Sequence, residues 1–139
     1  MRRFLLSSVV VIAAIFVSAY PSTASEGVPQ IRRDNIVKSG QRDRIGRARQ
    51  TEPDCTVSRV PNVRVIEPPS HGRVALVREQ EVITGAKGRF AKCNSRQVPV
   101  IAYYYQSTPG YIGRDRFVVR ISFRDGFVTD RISTIQVKK

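Results

Sequence analysis

The residues able to carry covalent chemistry are few and poorly placed for it. His71 is the only histidine, and it stands beside Gly72 with no carboxylate at motif spacing. A Ser–His pair here would need a third group from elsewhere, so His71 is expected to be a turn residue. Glu79 and Glu81 alternate, so a strand would put both carboxylates on one face, as in a paired-carboxylate glycosidase. The surrounding runs are joined by short loops, which leaves no insertion to wall a deep cleft. One histidine and two well-separated cysteines argue against His-rich metal sites and multi-residue catalytic constellations. The expectation is a non-enzyme with no cofactor and no metal.

Arginine carries the strongest chemical signal. Arg116, Arg120 and Arg124 recur at i, i+4 and i+8, so a strand places them on one face at steps of about 14 Å. Arg114 and Arg131 extend that patch, and such a stripe grips anionic groups bidentately. The bland alternative is a solvated, aggregation-resistant sheet face. Tyr103-Tyr104-Tyr105 suggests stacking on sugars or bases, but alternation allows only Tyr103 and Tyr105 together, or Tyr104 alone, to face outward.

These groups sit in a chain of 139 residues, room for one domain, with 24 Lys+Arg against 11 Asp+Glu and a formal charge of +13. Hydrophobic residues make up 41%, enough for a core and more than a disordered polyelectrolyte carries. Residues 1–24 read as a secretory signal peptide. Arg2 and Arg3 precede an apolar run from Phe4 to Val17, and small side chains at Ser22 and Ala24 suit cleavage after Ala24. The run is short for a span, so no stable membrane anchor is expected after cleavage. In an exported chain, Cys55 and Cys93 point to one structural disulfide, since their separation is far from the C-x-x-C of a redox pair.

Residues 25–54 carry seven basic residues from Arg32 to Arg49 and isolated aliphatics at no sustained period, which reads as a flexible basic arm. From residue 55 to 139 the composition shifts to short β-prone runs punctuated by Pro and Gly, an all-β sandwich pattern. Strands are expected over 62–67, over 73–78 with 79–84 continuing it or forming an edge, weakly over 89–93, and over 98–105. Arg116–Arg124 is the clearest, with Phe117, Val119, Ile121 and Phe123 on one face. Asp125-Gly126 then closes a hairpin onto a last strand over 127–137, where the three-residue step from Ile132 to Ile135 predicts a β-bulge.

Two stretches resemble a bacterial immunoglobulin-like or cadherin-like domain of exported proteins. Pro69-Ser70-His71-Gly72-Arg73-Val74 is similar to the Pro-x-x-Gly-x-Val turn of that family. Tyr105 to Phe117 is similar to its Tyr-x-Pro-x-x-Gly-Tyr/Phe-x-Gly-x-Asp-x-Phe signature through Tyr105, Gly110, Tyr111, Gly113, Asp115 and Phe117, with Ser107 departing from the usual Pro. The resemblance spans about Cys55 to Val137 and implies a single immunoglobulin-like β-sandwich; of activity it says almost nothing. On the residues themselves, Gly110 and Gly113 serve a compact turn, Tyr111 caps one end of the sandwich, and Asp115 accepts backbone N–H groups at the corner. The resemblance also raises calcium at Asp115, Asp125 and Asp130, but each has an arginine nearby and no D-x-D cluster supplies enough oxygens.

The expected protein is therefore a periplasmic or secreted binding or structural module, a monomer, contacting anionic envelope polymers through Arg114, Arg116, Arg120, Arg124 and Arg131. Nucleic acid is not the expected physiological partner. The alternative is a protein-interaction or adhesion module using a sheet edge or end loops.

Overall fold

Side chains alternate across a strand, and in the computed structural model Phe117, Val119 and Ile121 all turn inward and are buried. The structure describes residues 27–57 and 59–139; the expected signal peptide lies outside them. Seven strands form in chain order: β1 (Gln30–Lys38), β2 (Arg42–Ala48), β3 (Asn62–Glu67), β4 (Gly72–Val82), β5 (Gln97–Ser107), β6 (Gly113–Ser122) and β7 (Val128–Lys138). They make two sheets packed as a sandwich, one of order β1-β7-β6-β3 and one of order β2-β5-β4. Every neighbouring pair is antiparallel except β1 with β7, which run parallel in unbroken register from Gln30–Asp130 to Lys38–Lys138.

The core lies between the sheets. Tyr105 of β5 stacks on Phe117 of β6 with ring centroids 6.0 Å apart, and Tyr103 meets the same ring edge-on at 6.4 Å. Val37, Ala48, Val63, Val119, Ile121, Ile135 and Val137 complete this cluster, and each large side chain buried there contributes about 1.5–3 kcal/mol. A smaller cluster of Ile83, Cys93, Val98 and Val100 sits elsewhere, with Val57 and Phe90 packed on it. There the Cys55–Cys93 disulfide ties the β2–β3 connection to a short 3₁₀ helix, Gly88–Cys93.

Three expectations are corrected. The segment read as a flexible arm over residues 25–54 contains β1 and β2, which extend both sheets. Its order comes from backbone pairing with β7 and β5 plus a few inward anchors: Val37 is 4% exposed, whereas neighbouring Ile36 is 68% exposed. The run 89–93 is a 3₁₀ helix, not a weak strand. No bulge separates Ile132 from Ile135, since β6 and β7 pair without a register shift. Instead Ile132 takes the outer face opposite Val118, between the Arg116–Thr134 and Arg120–Asp130 rungs, and both apolar groups are buried there. Register shifts fall in β2 between Arg44 and Gly46, and in β3 between Val65 and Glu67.

At the β2 bulge the Tyr103 ring lies directly against the Gly46 backbone. A Cβ on Gly46 would overlap the Tyr103 hydroxyl and ring, with Cε2 at 2.7 Å. Gly46→Ala is therefore expected to cost about 1–3 kcal/mol by displacing a buried ring, read as a lower urea midpoint.

Candidate functional site

One end of the sandwich is built around Asp115, whose side chain faces the core and is 6% exposed. Its carboxylate accepts the backbone N–H groups of Ser70 (2.9 Å), His71 (3.0 Å) and Arg116 (2.9 Å), and the Tyr105 hydroxyl at 2.8 Å. Burial on its own would raise the pKa of Asp115. The four donors together outweigh it and hold the carboxyl below its ordinary range. The Tyr105 phenol is pushed up, first by burial and then by its bond to that carboxylate. Gly72 has no room for a side chain, since a Cβ would stand 2.5 Å from the Gln106 carbonyl and 2.8 Å from the Tyr105 ring. Tyr111 packs against the core, donates its hydroxyl to the Arg114 carbonyl at 2.6 Å, and stacks on His71 at 4.1 Å. Gly110 and Gly113 take positive φ in the connection between. A hollow of about 430 Å³ lies here among Glu67, Ser70, His71, Arg114 and Arg116, but the carboxylate at its edge is saturated by donors.

Of the five arginines expected to form one stripe, Arg114, Arg116 and Arg120 share the outer face of β6, and carboxylates meet two of them. Arg116 is ion-paired with Glu67. Arg120 donates two bonds to Asp130, from Nε at 2.7 Å and Nη2 at 2.8 Å, which lowers the Asp130 pKa and raises that of Arg120. Arg124 lies past the end of β6 in the hairpin turn, and Arg114 is exposed near its start. Arg131 does not extend the outer patch. It shares an inward rung with Val119, and its Nη1 donates to the Arg47 carbonyl at 2.8 Å and the Tyr103 hydroxyl at 3.2 Å.

Glu79 and Glu81 do share one face, and arginines from β2 and its C-terminal flank occupy them. Arg44 reaches Glu79 at 3.0 Å and Glu81 at 2.6 Å, while Arg47 and Arg49 reach Glu81 at 2.7 and 3.1 Å. Tyr104 donates its hydroxyl to Glu79 at 2.9 Å, a bond that raises the phenol's pKa. Both carboxylates are thus engaged by arginine, and Glu79 also by the Tyr104 hydroxyl. Asp125 accepts the Phe127 N–H in the terminal turn at 3.0 Å. Among the described residues, no group of three His, Cys, Asp or Glu side chains stands together as a metal site.

A different constellation lies on the outer face of the β2-β5-β4 sheet. Register places Arg42 of β2 opposite Gln106 of β5, and Gln106 opposite Arg73 of β4, so the three form one row across the sheet. The next row is Arg44, Tyr104 and Ala75. Arg42 lies over the Tyr104 ring at 4.3 Å. Arg73 donates Nε and Nη2 to the Gln106 amide oxygen at 3.2 and 2.7 Å, and Gln106 in turn donates to the Gly40 carbonyl at 2.7 Å. Reading the segment before residue 55 as an arm hid this row, because one of its three members belongs to β2. Alternation along β5, with Tyr103 and Tyr105 buried, was the signal that put Tyr104 alone outside. Comparison of the chain with protein-family models, curated proteins and solved structures finds no match.

Proposed function

We propose that this chain is an exported, non-enzymatic, immunoglobulin-like binding module of the cell envelope that contacts anionic polymers through arginines on a sheet face. The strand order supports the fold type: β2-β5-β4 against β3-β6-β7 follows the B-E-D and C-F-G sheets of an immunoglobulin sandwich. One observation carries the binding reading. Glu67, Glu79, Glu81 and Asp130 pair with Arg44, Arg47, Arg49, Arg116 and Arg120, while exposed Arg42, Arg73 and Arg114 have no carboxylate within ion-pair distance among the described residues. Uncompensated, partly ordered guanidinium groups attract and orient anions. Among the described residues no helix is long and apolar enough to cross a membrane, which fits a module without a helical anchor there.

The test is retention of the exported chain, disulfide formed, on lipopolysaccharide, peptidoglycan and DNA across a salt titration. Retention on an anionic polymer that falls as salt rises is expected. No retention, or retention indifferent to salt, overturns the reading and turns attention to a protein partner at a sheet edge. Replacing Arg116 and Arg120 with glutamine is expected to change retention by less than about twofold, since each charge is already met by a carboxylate.

A further inference from the structure

We propose that the depression between Arg42 and Arg73 is a subsite for the acidic group of a glycan residue, carboxylate or phosphate. The inference rests on the polymer-binding reading above and gives it a location. The depression measures about 240 Å³ and is lined by Arg42, Arg73, Ala75, Tyr104 and Gln106. Ala75 makes the hollow, because every other lining residue is long. Adjacent strands lie about 4.8 Å apart, so the Cα atoms of Arg42 and Arg73 flank Gln106 across about 10 Å, a span that two guanidinium groups bridge onto one oxyanion.

The way these two arginines are held separates them from their neighbours. Arg42 rests on an aromatic face and Arg73 on a neutral amide, so both are ordered before a ligand arrives and neither charge is cancelled. On the same face Arg44, Arg47 and Arg49 are tied to Glu79 and Glu81. There three arginines meet two carboxylates, whereas the row of Arg42, Gln106 and Arg73 holds two charges with no carboxylate. A nucleic-acid strand, with a phosphate on every nucleotide, would have to run its backbone across those carboxylates. A glycan with an isolated acidic sugar offers one acidic group to the arginine pair. A second depression, of about 430 Å³, shares Arg73 and Gln106 and continues toward Thr108 and Pro109, leaving room for a flanking sugar.

The experiment titrates the exported chain with a galacturonic acid trisaccharide, its neutral methyl ester, inorganic phosphate and a twenty-nucleotide single-stranded DNA. Binding of the acidic trisaccharide over its ester is expected, weakening as salt rises through screening of the two charges. Arg42→Gln and Arg73→Gln should each weaken it about tenfold. Ala75→Leu, which fills the hollow and leaves every charge in place, should weaken it as well, whereas Arg89→Gln at the other end of the molecule should not. Trisaccharide binding untouched by the two arginine variants overturns this site. If those variants also keep salt-dependent retention on the envelope polymer, the functional reading stands without it; if wild type is retained on no acidic polymer, that reading falls first. Phosphate binding as tightly as the trisaccharide, or DNA binding tighter with a steeper salt dependence, overturns the glycan assignment.

Discussion

Asp115→Asn is expected to lower the stability of the fold by about 3 kcal/mol, through hydrogen bonds to a buried charge left unmade. The carboxylate meets four donors from three parts of the chain, namely the Ser70-His71 turn, Tyr105 in β5 and its own neighbour Arg116. Asparagine offers one oxygen and an NH₂ group, so donors that met an oxygen now face another donor. Tyr105→Phe removes a single donor and should cost about 1 kcal/mol, and the double variant should cost less than the sum. Urea unfolding of the four proteins measures all three values; additive losses would mean that Asp115 and Tyr105 act independently.

The same carboxylate sets an acid limit. Its folded pKa lies below the ordinary value of about 3.9, so its contribution is fully present above that value and is lost as pH falls through the folded pKa. Asp130, held down by Arg120, and Asp54, held down by Thr56, act in the same direction. Wild type should therefore lose stability progressively below about pH 4, and Asp115→Asn should show a shallower fall over that window. An identical acid slope in the two proteins would remove Asp115 from the account.

Removing the disulfide is the second large effect. Cys55 and Cys93 are 38 residues apart, and opening a loop of that size should cost about 3–4 kcal/mol in the chain-entropy model. Cys93 is also fully buried beside Ile83, Val98 and Val100, so Cys93→Ser sets a hydroxyl among apolar groups whereas Cys93→Ala does not. A Cys55→Ala, Cys93→Ala chain should match the reduced wild type in thermal unfolding, and the serine double variant should melt lower than both. A reduced protein that melts within a degree or two of the oxidised one would show that the small cluster holds this end without the bridge.

How far the sequence was legible follows from how each strand is held. Strands that bury one face against the other sheet announce themselves, as Phe117, Val119 and Ile121 do in β6. β1 does not, because it is an edge strand with most of its side chains in solvent, among them Ile31 and Ile36, and its partner is specified through the backbone of β7. Ile132 misled in the opposite sense. It is apolar and buried, yet it lies on the outer face with Val118, so its three-residue step to Ile135 signals a change of face and not an inserted residue. The disulfide was legible from thiol count and spacing. The Arg42–Gln106–Arg73 row was not, since its members come together only through the register of β5 with both its neighbours.

The parallel pairing of β1 with β7 also gives the molecule a mechanical axis. A pull applied backward at Gln30 and forward at Lys138 drags the two strands past each other along their length, because Gln30 lies beside Asp130 and Lys38 beside Lys138. The load then falls on all the interstrand hydrogen bonds at once, and they must rupture together. Force applied outward at Lys38 instead opens the same bonds one at a time, like a zip. Tension drawn between Gln30 and Lys138 thus meets this strand pair in its stiffest direction.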